Sequence, residues 1–98
     1  MKLIDSNQLE FTNKWFDINA KAIWTSLIPQ LKPKKVLEIG SYEGASTCFL
    51  IKTLTDFHDK FEIHAIDSWA ENQKQYSNVN ISLVEERFHK NTSIELSK

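Results

Sequence analysis

The chain has 98 residues, 41% of them hydrophobic and 26% charged, with a formal net charge of −1. That balance fits one small globular domain and excludes a disordered or low-complexity chain. The near-zero charge leaves no electrostatic footprint for nucleic acid or for an anionic membrane surface, and no apolar run approaches the roughly 20 residues of a membrane span. A single cysteine, Cys48, allows no internal disulfide and fits a reducing compartment. The first ten residues lack the apolar core of a signal peptide, so a cytoplasmic location is expected.

Residues 1–12 carry few periodic apolar positions and read as a short helix or an extended arm. From Thr12 the pattern turns helical. Trp15, Phe16, Ile18, Ala22, Ile23, Ser26 and Leu27 recur at steps of three and four, with Lys14, Asp17, Asn19 and Lys21 between them. Pro29 predicts an end near Ile28, because the residue before proline disfavours helical geometry. Lys32, Pro33, Lys34 and Lys35 form a solvated connection. The expected division is 1–30, arm and helix, followed by 31–98, a ligand-binding unit.

Val36 to Ile39 reads as a strand buried on both faces, as in a parallel sheet. A loop over 41–44 follows. Ala45 to Thr55 is a predicted helix with Phe49, Leu50 and Leu54 inward. Phe61 to Ile66 is a second strand, ending at Asp67. Ser68 to Ile81 is rich in Asn, Gln and Ser and reads as loop. Leu83 to His89 forms part of a further helix, with Leu83, Val84 and Phe88 on one side, and the remaining tail is polar. Strand, helix, strand and helix in succession predict an α/β fold with a parallel sheet. In such sheets ligands sit beyond the carboxyl ends of the strands. Glu38 and Asp67 both fall there.

The most informative run is 35–46, Lys-Val-Leu-Glu-Ile-Gly-Ser-Tyr-Glu-Gly-Ala-Ser. Gly40 lets backbone approach a ligand closely, and the helix start after Gly44 offers unpaired N–H donors. The spacing Gly40-x-x-x-Gly44 does not match the dinucleotide pattern G-x-G-x-x-G. No lysine follows Gly44, so a Walker loop is excluded as well. His58, His64 and His89 show no metal-ligand spacing, and no metal site is expected. Cys48 reads as a buried apolar residue in mid-helix. Ser46 and Ser68 have no sequence hint of a histidine partner. Trp15 and Trp24 read as packing residues, with a substrate role for their helix left open.

The run resembles motif I of the class I S-adenosylmethionine-dependent methyltransferases. The residues that carry the resemblance are Glu38, Gly40 and Gly44, joined by Asp67 in His-Ala-Ile-Asp-Ser-Trp. Within that superfamily it is similar to the small-molecule group with E-I-G-x-x-x-G-x-S in the first loop and I-D-x-W after the second strand. The similarity spans roughly 20–95. It implies a partial Rossmann-like sheet, the N-terminal half of that fold, with a preceding helix. It also implies S-adenosylmethionine as cofactor and a small-molecule methyl acceptor.

On that resemblance, Glu38 favours the positive methionine portion directly or fixes the loop. Gly40 gives the ligand room against backbone. The N–H groups from Tyr42 to Ser46 meet the ligand's negative end or a water. Ser41 belongs to the same loop. Asp67 accepts from both ribose hydroxyls, and Ser68 and Trp69 follow, the indole placed to pack on adenine. The bland alternatives stand beside these. Glu38 caps the turn, Gly40 and Gly44 mark an ordinary strand-to-helix turn, Asp67 is a helix N-cap, Trp69 packs in the core or at the surface, and Tyr42 stays solvated.

In the resembled family the sheet continues past the second helix, through strands that this sequence does not show. No catalytic residue is assignable. The expectations are a fragment lacking its C-terminal half, a homodimer that covers the open sheet edge, or a tail folded differently. The functional alternative is an inactive or accessory module that binds S-adenosylmethionine or a nucleotide, or an oligomerisation unit.

Overall fold

A computed structural model describes residues 8–69 and 81–98. The elements are α1 (Trp15–Asn19), α2 (Lys21–Leu31), β1 (Lys35–Ile39), α3 (Ala45–Thr55), β2 (Glu62–Ile66) and α4 (Ile81–Ser97). The two strands pair in parallel, with Val36 opposite Ile63, Glu38 opposite Ala65 and Ile39 opposite Ile66. The α3 crossover makes that pairing possible, because parallel neighbours cannot be joined by a tight turn. The expected α/β order is present, and each strand boundary lies within one residue of its expected place. The expected loop over 68–81 and the arm over 1–12 fall partly outside the described residues.

One core cluster joins Ile28 of α2 to Leu50 and Leu54 of α3, with Trp24, Val36, Phe61 and Ile63 packed against it. Leu54 is fully buried, and burying such a side chain contributes about 1.5–3 kcal/mol. A second cluster centres on Val84 of α4, against Tyr42 and Trp69.

The structure corrects three expectations. First, the single helix ending near Ile28 is two helices, and the second runs on to Leu31 with Pro29 inside it. Ala20, at φ −129°, closes one helix with its N–H on the Phe16 carbonyl and opens the next with its carbonyl on the Trp24 N–H. Pro29 removes one helical hydrogen bond, to the Thr25 carbonyl, and Thr25 is exposed, so water can replace it. The helix ends at Lys32, whose left-handed φ of 45° brings its N–H to 2.8 Å from the Ile28 carbonyl.

Second, the described residues cover β1 on one face only. Val36 and Glu38 face the helices, whereas Leu37 and Ile39 are 62% and 79% exposed. Ile66 of β2 is also exposed on that side, and no described element covers it. Third, the polar tail is helical. α4 extends to Ser97 because its polar residues find partners. Asn91 is fully buried and bonded to Glu10 and Glu43, and Glu95 is buried with Lys98 on its carboxylate. Leu83, expected on one side with Val84 and Phe88, is exposed, whereas Val84 is fully buried.

Candidate functional site

β1 delivers the chain into a tight turn. Gly40 extends the ladder by one bond, its N–H donating to the Ile66 carbonyl at 2.7 Å. Its φ of +86° is one that L side chains rarely adopt, and a Cβ there would meet nothing within 4 Å. The backbone at Gly40 is thus bare and faces open space. The Ser41 carbonyl then accepts the Gly44 N–H at 2.9 Å, closing the turn. Gly44, at φ +88°, is the N-cap of α3 and supplies no side-chain cap. A Cβ at Gly44 would lie 3.1 Å from Phe88 Cδ2 and 3.4 Å from Thr92 Cγ2. The two glycines therefore differ in kind: Gly40 faces space, and Gly44 lets α4 approach.

Glu38 is buried, and its carboxylate accepts from two hydroxyls in the first turn of α3. Ser46 Oγ donates to Oε2 at 2.5 Å, and Thr47 Oγ1 donates to Oε1. The strand end is tied in this way to the helix start. Asp67 does the same from β2. Its Oδ2 accepts the Tyr42 N–H at 2.8 Å and its Oδ1 accepts the Trp69 N–H at 2.8 Å. Tyr42 and Trp69 hold left-handed φ values of 47° and 46°. Such backbone costs on the order of 1–3 kcal/mol each, which the charge-assisted bonds to Asp67 offset. Two carboxylates at neighbouring parallel strand ends thus brace one loop. Trp69 also donates its indole N–H to the Tyr42 carbonyl at 3.0 Å, and its ring lies 5.2 Å from Phe88. Ser68 is exposed.

Sequence reasoning missed a further set behind the loop. Glu43 is 2% exposed. Its Oε1 accepts the Thr12 N–H at 2.7 Å, and its Oε2 accepts Thr12 Oγ1 at 2.7 Å and Arg87 Nη1 at 3.2 Å. Asn91 donates from Nδ2 to the Glu43 carbonyl at 3.0 Å and to the Glu10 carbonyl at 2.9 Å, and its Oδ1 accepts the Glu10 N–H at 2.7 Å. Glu10 also receives Arg87 Nε at 3.0 Å and Lys90 Nζ at 3.2 Å, and the bonds from these cations, Arg87's first, hold its carboxyl below the ordinary range. Between them, residues 8–14, the loop and α4 form one polar lock. Glu43 gave no local signal because its partners come from distant parts of the chain.

In front of the loop lies a cavity of about 570 Å³. That is the size of a small-molecule site, about 300–1,000 Å³. Glu38, Gly40, Ser41, Tyr42 and Ser46 form one wall, and Trp15, Phe16 and Trp24 form the other. The Trp15 and Tyr42 rings lie 4.9 Å apart, and Phe16 meets Trp24 edge-on at 5.0 Å. Asn13 Nδ2 and Ser41 Oγ, both from lining residues, are buried without a hydrogen-bond partner. Leaving such groups unpaired costs about 1–3 kcal/mol each. Gly44, Asp67, Ser68 and Trp69 lie outside this lining.

The remaining candidates hold structural positions. His58 bonds the Lys32 carbonyl, His64 meets Glu62, and His89 meets Glu85. No metal-holding group of side chains occurs among the described residues. Burial, with Glu95 adding to it, pushes the Cys48 thiol up to about 12, so it is no nucleophile at neutral pH. No described helix is long and apolar enough to cross a membrane.

Comparison with known proteins adds one finding. A family model described as a methyltransferase domain matches residues 37–96, a span that holds the loop, Asp67 and most of α4. No curated protein and no solved structure matches the chain.

Proposed function

The chain belongs to the methyltransferase-domain family, and from that membership we propose that it binds S-adenosylmethionine on the 40–44 loop and serves methyl transfer to a small-molecule acceptor. The fold is read accordingly as part of a Rossmann-like class I sheet. The observation that carries this reading is the pair of carboxylates, Glu38 and Asp67, bracing a loop whose Gly40 is bare beside a cavity.

The residues present fit the cofactor. A carboxylate has about four acceptor positions. Asp67 spends two on the Tyr42 and Trp69 N–H groups, and the rest suit a ribose diol. Glu38 places acceptor oxygens in the cavity wall, where a sulfonium end gains from them. Gly40 lets the ligand lie against backbone, and the uncapped first turn of α3 offers N–H donors to its carboxylate. When bound, S-adenosylmethionine supplies an activated methyl group. The chain's own part is binding, orientation and the exclusion of water by the aromatic wall, which is where transfer of this kind gains its rate.

Among the described residues one sheet face is bare and one β1 edge unpaired, which favours a second reading: a cofactor-binding or oligomerisation part of a larger assembly. Calorimetry with S-adenosylmethionine and S-adenosylhomocysteine tests the cofactor. Heat is expected from the wild type and its loss from Gly40→Val. A folded wild type that gives no heat with either compound refutes the proposal. A labelled-methyl assay then separates an enzyme from a binder.

A further inference from the structure

We infer that the cavity between the α1–α2 pair and β1 seats the acceptor, and that this acceptor is a neutral or cationic arene bearing a hydroxyl or amine rather than an anion. The identification of the occupant as an acceptor rests on the cofactor reading; the chemistry of the seat does not.

Three observations define that chemistry. The outer wall is aromatic, with Trp24 against Phe16 and Trp15 reaching Tyr42 of the loop wall, so a flat ring is the shape that fills it with good contact. Among the described residues, the acidic side chains in the lining are Glu38 and Glu43, and no lysine, arginine or histidine joins them. Glu43 is turned to Arg87 and Thr12 behind the loop, so Glu38 is the acid on the ligand's side. An anionic ligand would enter there without a counter-charge, whereas an ammonium would meet aromatic faces and the Glu38 carboxylate. Finally, the orphaned Asn13 Nδ2 donor and Ser41 hydroxyl belong to this wall. A ligand hydroxyl or amine supplies the missing partner after a small side-chain rotation. Because Gly40 also lines the cavity, the polar end of the arene lies beside the proposed cofactor site.

Three phenols of similar size test this on the full chain by tryptophan fluorescence and calorimetry: tyramine, 4-ethylphenol and 4-hydroxyphenylpropionate. Tyramine and 4-ethylphenol are expected to bind saturably, and the carboxylate at least about tenfold more weakly, a difference of about 1.4 kcal/mol. Trp15→Ala, at a half-exposed position that folding tolerates, is expected to weaken tyramine about tenfold, and Asn13→Leu severalfold. Equal binding of all three phenols overturns the inference, as does no binding, or a dimer in the ultracentrifuge that fills the cavity and excludes tyramine. Tyramine binding without S-adenosylhomocysteine binding supports the seat and overturns the cofactor reading. The reverse result does the opposite.

Discussion

The back and the front of the 40–44 loop are built on opposite principles. Behind it, Glu43, Asn91, Arg87 and Thr12 satisfy one another, and Gly44 admits α4 to contact distance. In front, Gly40 faces space, Ser41 and Asn13 carry unpaired polar atoms, and Leu37 and Ile39 stay exposed. The contrast teaches how a small chain holds a loop: fixing it from one side leaves the other open, and on the proposed function a ligand would meet a loop backbone already in place.

The sharpest way to break this contrast is to open the back. Glu43→Ala removes the acceptor of the Thr12 N–H, the Thr12 hydroxyl and Arg87 Nη1, while Arg87 keeps Glu10. A loss of about 3–5 kcal/mol is expected, as for losing three bonds to one buried carboxylate. Urea denaturation measures it. A midpoint equal to the wild type's would show that the lock contributes nothing.

The two glycines give a finer comparison. Gly44→Ala meets both a left-handed φ and the Phe88 ring, and is expected to cost about 2–4 kcal/mol. Gly40→Ala meets only the φ, and about 1–2 kcal/mol is expected. The order reverses for S-adenosylhomocysteine binding, which Gly40→Ala should weaken more. Equal effects on both readouts would mean that front and back are not distinct.

How far this was readable beforehand follows from the range of the interactions. α3 matched its expected limits because periodicity and the flanking Gly44 act within a few residues. Asp67 and Glu38 could be placed at strand ends because a strand end is a local feature. Their partners were not, since the Tyr42 amide and the Thr47 hydroxyl reach them only after folding. Gly44 looked the same as Gly40 in sequence, because a φ above zero says nothing about what lies outside the turn. The tail after His89 looked only polar. It is a helix because Asn91 meets Glu10, 81 residues away, and no pattern window sees that. β1 looked buried on both faces because Leu37 and Ile39 are as apolar as Val36. The sequence pattern describes a sheet covered on both sides, and the described residues cover one.

That bare side predicts a smaller effect. Ile39→Thr is 79% exposed at its site and should change stability by no more than about 0.5 kcal/mol. The same substitution should lower any self-association seen by ultracentrifugation, because it removes apolar area from an exposed sheet face. A large loss of stability in the monomer would place a cover over Ile39.

The smallest effect comes from the rim of the lock and depends on pH. Glu10 is exposed, and the bonds from Arg87 and Lys90 hold its carboxyl below the ordinary range in the folded chain. A group with a depressed folded pKa contributes stability above its unfolded value, and that contribution is lost as pH falls through the folded value. The lock should therefore be intact at pH 7 and weaken below the ordinary glutamate range, about pH 4.3. Added salt should reduce the effect, since the carboxyl lies at the surface. Glu10→Gln removes the titrating group, so urea midpoints of wild type and variant, separated at pH 7, should converge at low pH. Parallel curves across the whole range would mean that the Glu10 side chain acts by packing and not by charge.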